Sequence, residues 1–225
     1  MQKIQCADST KQVERMRKPA PTKTESALLA PFATLPLERI YVPTTETQFA
    51  AATAAIKVAG VVGFDTESKP IFDRGVVSDG PHVVQFSLDD CAYIFQLYRA
   101  DCRAFLIEIL ESVAVLKVGF GLRSDHKEIR AKLGVTLCAV LDMNDVFRKD
   151  GHRGTTGARA AVAIVMNQKF HKSKAVTTSN WSLPQLSPKQ LLYAANDAYV
   201  AIKVLRAMQL PRDQLPIAGL PTGPN

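Results

Sequence analysis

The chain has 225 residues, of which 47% are hydrophobic and 22% charged, and its formal net charge is +7. This composition is typical of one globular domain with a sizeable core, and the lack of a long apolar stretch excludes a membrane-spanning helix or a membrane partner. Because the cysteines lack C-x-x-C spacing and no signal-peptide-like segment occurs, we expect reduced thiols in a cytoplasmic protein without structural zinc; the cysteines are Cys6, Cys91, Cys102 and Cys138.

The positive net charge favours a polyanionic partner such as nucleic acid. A soluble protein that is basic for unrelated reasons has the same composition, so charge alone leaves the partner open. Residues 1–25 contribute +3 of this charge and leave +4 for the rest of the chain, which places basic residues in the folded part as well.

Hydrophobic periodicity, caps and turn residues predict an α/β fold in which a hairpin precedes alternating helices and strands. Such an order implies a mixed rather than an all-parallel sheet. The predicted elements, in chain order, are a flexible polar arm (1–25), a strand (40–42), a helix (45–58), a strand (61–67), a loop (68–81), a hairpin (82–88 and 91–97), a helix (101–112), a strand (113–118), a helix (122–133), a strand (136–141), helices (143–148 and 157–166), an irregular stretch (167–186), a helix (188–210) and a Pro- and Gly-rich tail (211–225).

The last predicted helix carries one residue that does not suit a plain core helix. Ser187 and Gln190 form a capping box around Pro188, which predicts where the helix begins. Helical geometry places Asp197 inside a broad apolar arc, with Tyr193 one turn before it on the same side. An unpaired buried carboxylate is costly, so Asp197 requires a cation, a proton or several hydrogen-bond donors. The remaining polar face is predicted to hold Asn196, Tyr199 and Lys203.

Other carboxylates occur where chemistry is expected in an α/β protein. Asp65 and Glu67 lie two apart at the end of a buried strand, so both side chains leave the same face at the sheet edge where ligands usually bind. Asp125 lies in the first turn of the helix that follows Gly119-Phe120-Gly121. Each has an ordinary alternative: a surface acid pair for the first two, a macrodipole acid for Asp125, and a hydrogen-bonded core pair for Tyr193 and Asp197.

If these carboxylates converge, their chemistry indicates the metal. All are hard oxygen ligands without neighbouring His or Cys, which favours two divalent ions, Mg²⁺ or Mn²⁺, over zinc. Two such ions can hold the attacking and leaving oxygens of a phosphoryl displacement.

Three motifs resemble the DEDDy branch of the DnaQ-like 3′–5′ exonucleases, within the ribonuclease H-like superfamily. They read VVGFDTES at 61–68, KVGFGLRSDHKEI at 117–129 and SNWSLPQLSPKQLLYAANDAYVAIKV at 179–204. The likeness extends over roughly 37–210, and the third motif resembles Werner-type exonuclease domains and ribonuclease D. It implies a ribonuclease H-like three-layer fold, with a mixed five- to six-stranded sheet flanked by helices. It also implies a stand-alone exonuclease domain over 37–210.

The resemblance further implies hydrolysis of the terminal phosphodiester of a nucleic acid with a free 3′ end, releasing nucleoside 5′-monophosphates. Carried over by position, Asp65 would contact both metal ions, Glu67 and Asp197 the ion on the nucleophile side, and Asp125 the other. Tyr193 would orient or help to deprotonate the attacking water. The pocket for the terminal nucleotide would be lined by Thr66, Phe64, Phe120 and Leu122.

Basic residues are dense between 148 and 174, against a single acid, Asp150. They indicate either a solvated irregular surface or a path that follows phosphates toward the site. The residues predicted to contact nucleic acid are Arg148, Lys149, Arg153, Lys172 and Lys174.

The sequence leaves several functions open. A ribonuclease D-like enzyme that trims RNA 3′ ends, a catalytically silent nucleic-acid-binding module of the same fold and a basic interaction scaffold remain alternatives. The Werner-type resemblance favours DNA weakly, and the oligomeric state is not predicted.

Overall fold

A computed structural model of the chain describes residues 21–71, 75, 78–152 and 154–220. Most of the predicted polar arm and Arg153 therefore lie outside the described residues. Within them, no helix is both long and apolar enough to cross a membrane.

Eight strands are described, six of which form one mixed sheet, while β1 and β8 pair with each other. They are β1 (Ala30–Pro31), β2 (Ile40–Tyr41), β3 (Val61–Glu67), β4 (Val83–Ser87), β5 (Ala92–Gln96), β6 (Leu116–Gly119), β7 (Val140–Asp142) and β8 (Gln168–Lys169). The large sheet has the order β2-β5-β4-β3-β6-β7. The pairs β3–β4 and β4–β5 are antiparallel and the other pairs are parallel. This arrangement confirms the predicted mixed sheet and its hairpin.

Eight α-helices accompany the strands in the described residues. They are α1 (Lys23–Ala27), α2 (Glu46–Ala59), α3 (Arg103–Glu111), α4 (Arg123–Leu133), α5 (Met143–Lys149), α6 (Ala158–Met166), α7 (Lys174–Thr177) and α8 (Pro188–Met208). Short 3₁₀ turns occupy Leu37–Arg39, Ala100–Cys102 and Arg212–Gln214.

Two apolar clusters divide the molecule into three layers. One cluster joins α6 and α8 to one face of the sheet, through residues such as Val83, Val118 and Val200. The other joins α2, α3 and α4 to the opposite face, and it includes Phe64 and Phe86. Strand alternation produces this division because neighbouring residues of β3 point to opposite faces. The helix–sheet–helix arrangement agrees with the predicted three-layer fold.

A close approach between two layers involves Gly63, in the middle of β3. A Cβ built at this position would lie only 1.9 Å from the main-chain oxygen of Ala198 in α8. Because glycine has no side chain, the backbones of β3 and α8 can meet at this point. The contact holds the acidic end of β3 beside the middle of α8, where Asp197 lies.

Asn196 and Tyr199, which were predicted to lie on the polar face of α8, are buried, so this prediction is wrong for these two residues. The backbone N–H of Leu35 donates to Asn196 Oδ1 at 2.7 Å, and Asn196 Nδ2 donates to the Leu35 carbonyl at 3.2 Å. The hydroxyl of Tyr199 donates to the main-chain oxygen of Asp89 at 3.3 Å. Polar side chains on this face therefore bind backbone groups from distant segments instead of water.

Other local predictions also need correction. The helix cap at Thr45 forms, but the Gln48 side chain accepts hydrogen bonds from Thr44 rather than closing a capping box with Thr45. The strand predicted over 136–141 is limited to β7, and the strand predicted from Val113 begins only at Leu116. The stretch 167–186, predicted as irregular, contains β8 and α7.

Residues after α8 return to the sheet within the stretch predicted as a tail. Ala218 forms an antiparallel bridge with Val140 of β7, with N–O distances of 2.8 and 2.9 Å. The edge of β7 is thereby partly covered. The proposed domain boundaries at 37 and 210 stay predictions.

Candidate active site

Three carboxylates meet where β3 passes under α8. Asp65 and Glu67 share the face of β3 that contains Gly63, and Asp197 projects from α8 toward them. One carboxylate oxygen from each lies within 4.8 Å of the others. Segments about 130 positions apart in sequence thus form one acidic cluster, which we define as Asp65, Glu67 and Asp197.

Asp125 lies beside this cluster rather than within it. It is buried in the first turn of α4, and its Oδ1 accepts a hydrogen bond from the hydroxyl of Thr66. Thr66 lies between Asp65 and Glu67 on β3, so its side chain leaves the opposite face of the sheet, where α4 packs. It therefore links α4 to the strand that carries the cluster. This bond commits the Thr66 hydroxyl to orienting Asp125.

The loop before α4 is held by Asp142, a residue that none of the sequence motifs indicates. Its carboxylate accepts hydrogen bonds from the backbone N–H groups of Gly121 and Leu122, both at 3.0 Å. It also caps α5 by accepting from the N–H of Asn144 at 2.9 Å. An aspartate directly before a predicted helix is an N-cap signal, so the cap was predictable, whereas the bonds to the loop were not.

Tyr193 lies one turn before Asp197 on α8, and its side chain borders the cluster. Its hydroxyl is 2.8 Å from Thr177 Oγ1, and its ring lies 5.9 Å from that of Trp181. Nothing in the sequence indicated Thr177, because it belongs to a short helix in the stretch predicted as irregular.

Lys172 supplies the nearest positive charge. Its ammonium lies 2.5 Å from Asp197 Oδ2 and 5.0 Å from the centre of the Tyr193 ring. Lys172 is predicted from the sequence to contact nucleic acid, but the structure places it directly against a cluster carboxylate.

Burial and mutual repulsion strongly perturb the acids. Burial, followed by the neighbouring Asp65, raises the pKa of Glu67 to about 10. Burial, followed by Asp125 and Asp197, holds the pKa of Asp65 well above its usual range. The pKa of Asp125 is also raised, mainly by burial, although the Thr66 hydrogen bond opposes this shift.

The pKa values of Lys172 and Tyr193 are raised as well. Burial lowers the pKa of Lys172, but Asp197 and Asp65 outweigh that effect, so the ammonium stays charged. Burial, followed by the charge of Asp197, raises the pKa of Tyr193 to about 12, so its phenol is neutral at physiological pH.

The cluster suits a hard divalent cation. Only 3% of the Asp197 side chain is exposed, and apart from the ion pair with Lys172 neither of its carboxylate oxygens has a hydrogen-bond partner among the described residues. Oxygen-only ligands and closely spaced carboxylates match the preferences of Mg²⁺ and Mn²⁺. Such a cation would offset the two effects that raise the pKa values of Asp65 and Glu67, which are burial first and mutual repulsion second.

Two clefts meet at the cluster, and both are bordered by Lys172 and Asp197. The first has a volume of about 540 Å³, and its other lining residues include Asp65, Phe120, Asn144, Arg159 and Lys174. The second, of about 460 Å³, is lined by residues that include Thr34, His171, Lys189, Leu192 and Tyr193. Of the residues predicted to contact nucleic acid, Phe120, Lys172 and Lys174 therefore line the first cleft, where they can reach a ligand. Arg159 and Asn144, which were not predicted as contacts, line the same cleft.

Two of the residues predicted to line the nucleotide pocket do not lie at the clefts. Phe64 is fully buried and packs against Phe86, on the sheet face opposite the cluster. Leu122 is 3% exposed and belongs to the same apolar cluster as Phe64. Neither side chain can contact a nucleotide in the clefts.

Two predicted basic contacts are also displaced from the site. Arg148 is ion-paired with Asp145, and the Lys149 ammonium donates to the Gln214 carbonyl at 2.9 Å. Neither residue lines either cleft. Arg153 lies outside the described residues.

Metal-free protein should lose stability as the pH rises. Because the pKa of Glu67 is higher in the folded state than in the unfolded chain, the folded state binds more protons between pH 4.5 and about 10. The stabilisation present below this window is lost as pH rises through it. In chelator, we expect the Tm to fall by about 5 °C or more between about pH 6 and about pH 9.

Thermal unfolding followed by circular dichroism measures this effect. Saturating Mn²⁺ should reduce or reverse the fall, because the ion binds the deprotonated acids. In Glu67→Gln the fall should be smaller. Equal pH dependence in the wild type and in Glu67→Gln would contradict the prediction.

Comparison with known proteins indicates the family of this chain. A family model described as 3′–5′ exonuclease matches residues 40–211. A protein of Arabidopsis thaliana named 3′–5′ exonuclease is 26% identical over 150 residues, which are 66% of this chain and 52% of that protein. The mouse bifunctional 3′–5′ exonuclease/ATP-dependent helicase WRN is 29% identical over 153 residues, which are 66% of this chain and 11% of that protein. The chain thus spans about half of the first relative and a small part of the second.

Solved structures confirm the ribonuclease H-like fold. Ribonuclease D of Trypanosoma brucei superposes with a TM-score of 0.69 at 19% identity, covering 77% of this chain and 66% of that one. The Nibbler EXO domain of Aedes aegypti superposes with a TM-score of 0.66 at 20% identity, covering 78% of this chain and 89% of that one. Since the family model matches more than half of the residues, this chain is a member of the 3′–5′ exonuclease family.

Proposed function

We propose that this chain is itself an active exonuclease that removes nucleotides from the 3′ end of a nucleic acid with two divalent ions, Mg²⁺ or Mn²⁺. The observation that carries the proposal is the convergence of Asp65, Glu67 and Asp197, with Asp125 beside them, in a member of this family. All five residues implied by the DEDDy resemblance border one site.

The divalent ions, when bound, would supply positive charge for the phosphodiester and acidify a water molecule. Asp65, Glu67 and Asp197 would hold one ion, and Asp125, oriented by Thr66, would help to hold the other. Tyr193, fixed by its bond to Thr177, would orient the attacking water through its hydroxyl. Because the Tyr193 pKa is raised, we propose a hydrogen-bonding role rather than a role as a phenolate.

The first cleft is the proposed path of the nucleic acid. Arg159, Lys172 and Lys174 place positive charge along it, and Phe120 offers an aromatic face near Asp65. Neither DNA nor RNA is favoured by these contacts: solved ribonuclease D structures include one in complex with RNA U12, whereas the WRN relative combines its exonuclease with a helicase. The substrate is therefore left to experiment.

Digestion of labelled oligonucleotides tests the function. DNA and RNA of one sequence, each single-stranded or with a recessed 3′ end and labelled at the 5′ end, are incubated with protein and Mg²⁺ or Mn²⁺. We expect a ladder of products shortened from the 3′ end, and no products in chelator. Salt-sensitive binding without products under any of these conditions would overturn the proposal and favour a non-catalytic binding module.

Tyr193→Phe should slow the reaction without weakening metal binding. Loss of the hydroxyl removes the group that orients the water, so we expect the single-turnover rate to fall about 10- to 100-fold. Mn²⁺ affinity, measured by calorimetry, should be unchanged because the phenol is not among the proposed ligands.

Tyr199→Phe is a matched control, because Tyr199 is a buried tyrosine of the same helix whose hydroxyl bonds to Asp89 rather than bordering the site. It should cleave at the wild-type rate. If Tyr193→Phe lost Mn²⁺ binding, the role proposed for the phenol would be wrong.

We also propose a cytoplasmic location. Cys91, Cys102 and Cys138 are free thiols, which supports a reducing environment.

A further inference from the structure

Lys172 stands at the only ion pair that the described residues form with the acidic cluster. Its ammonium contacts Asp197 Oδ2, whereas Asp65 and Glu67 have no cationic partner of their own in the described part of the chain. One lysine thus serves as counter-ion for a group of acids of which Glu67 and Asp197 are buried and Asp65 is half-buried. A divalent ion held by the same acids would require the same carboxylate.

The surroundings of Lys172 would let its ammonium move. Its main-chain oxygen is anchored by Arg159, so the backbone is held near the site. Its side chain is 34% exposed and lies where the two clefts meet. A long, flexible stem can therefore carry the ammonium from Asp197 into either cleft without moving the fold.

The charges of the site with metal bound would leave the Lys172 ammonium free for a second role. The four ionised carboxylates, Asp125 included, are balanced in charge by two divalent ions. Lys172 would then be the cation left over beside the cleft, facing a phosphodiester of charge −1. An ammonium within reach of that phosphate would stabilise its developing negative charge.

We propose that Lys172 is a displaceable counter-ion, which neutralises Asp197 until a divalent ion binds and then turns to the phosphodiester in the first cleft. The second half of this inference rests on the proposed function, whereas the first half concerns metal binding alone. If Lys172 instead had a fixed structural role and merely attached its loop to α8, its removal would leave Mn²⁺ affinity unchanged or lower it.

Mn²⁺ titration of the metal-free protein, followed by calorimetry at low ionic strength, tests the first half. Lys172→Met removes the competing charge and retains most of the stem, so we expect Mn²⁺ to bind about tenfold more tightly. Lys172→Arg should bind Mn²⁺ with nearly wild-type affinity. Unchanged or weaker binding by folded Lys172→Met would overturn the proposal.

Lys203→Met is the matched control, because Lys203 also lies over a tyrosine ring of α8, 5.5 Å from the centre of Tyr199, but lines neither cleft. It removes the same charge from the protein and should leave Mn²⁺ affinity unchanged. An equal gain in this variant would overturn the local mechanism in favour of a net-charge effect.

Single-turnover cleavage at saturating Mn²⁺ tests the second half. Lys172→Met should cleave about 10- to 100-fold more slowly although it binds the ion more tightly, and Lys172→Arg should recover part of the rate. A wild-type rate in Lys172→Met would overturn the phosphate contact. If the wild type cleaves no substrate, the proposed function fails together with the phosphate contact, while the Mn²⁺ titration still decides the counter-ion role.

Discussion

Replacing Asp65 with asparagine is expected to lower the rate of 3′-end hydrolysis by about a thousandfold or more. Asp65 lies two residues after Gly63 on β3, and the neighbouring Asp125 and Asp197 both act on its carboxyl group. By resemblance it would contact both ions. An amide carries no negative charge, so the variant should bind divalent ions weakly and fail to organise the site. Loss of several kcal/mol of transition-state stabilisation corresponds to a factor of this size.

The structure predicts that this loss occurs in a folded protein. The raised pKa of Asp65 means that its ionised form is unfavourable in the metal-free state. Asp65→Asn should therefore have a Tm in chelator at neutral pH that is equal to or above that of the wild type, while Mn²⁺ should raise its Tm less. Circular dichroism melts with and without Mn²⁺, measured beside single-turnover cleavage, separate the two effects.

Asp90→Asn is the control for this substitution. Asp90 is an exposed hairpin residue whose only ion pair with another described residue is a 3.9 Å contact with Arg39, and such pairs contribute little. It should retain wild-type cleavage and metal response. Cleavage by purified Asp65→Asn within tenfold of the wild-type rate would contradict the assignment of Asp65.

Replacing Gly63 with alanine is expected to destabilise the fold by about 3 kcal/mol or more. The added Cβ would lie 1.9 Å from the Ala198 carbonyl oxygen, so either β3 or α8 has to move. The obstacle is backbone rather than a flexible side chain, and relief by rotamer change is therefore excluded. Overpacking of this kind costs about 1–3 kcal/mol when side chains can adjust, and more when they cannot.

Chemical denaturation measures the change in the free energy of unfolding. Gly157→Ala is the control, since its Cβ would meet nothing within 4 Å and its φ of −71° suits any residue. That variant should differ from the wild type by less than about 1 kcal/mol. A Gly63→Ala protein of wild-type stability would show that β3 and α8 are less closely packed than described.

Gly63→Ala should also impair the site, because Ala198 directly follows Asp197 in α8. Any separation of α8 from β3 moves Asp197 away from Asp65 and Glu67. We therefore expect Mn²⁺ affinity to fall in this variant even under conditions where it is folded.

Some wrong predictions could have been avoided from local sequence patterns, and others could not. Phe64 could have been excluded from the sequence, because strand alternation directs it away from the face that carries Asp65. For Asn196 and Tyr199, no local pattern could have indicated burial, since their partners are the backbones of Leu35 and Asp89, more than 100 positions away. The spread of Arg148 and Lys149 away from the clefts likewise depends on where α5 packs.

Local sequence patterns were enough to predict the catalytic candidates, the N-terminal capping box of α8 and the mixed sheet. These follow from short-range rules: alternation on a strand for Asp65 and Glu67, the helical repeat for Tyr193 and Asp197, and the capping-box residues on either side of Pro188. The ion pair between Lys172 and Asp197, the Thr66–Asp125 hydrogen bond and the meeting of two clefts at the cluster became visible in the folded chain alone. Each of these depends on the distance between segments remote in sequence, and that distance is set by packing such as the Gly63–Ala198 contact, which no local pattern encodes.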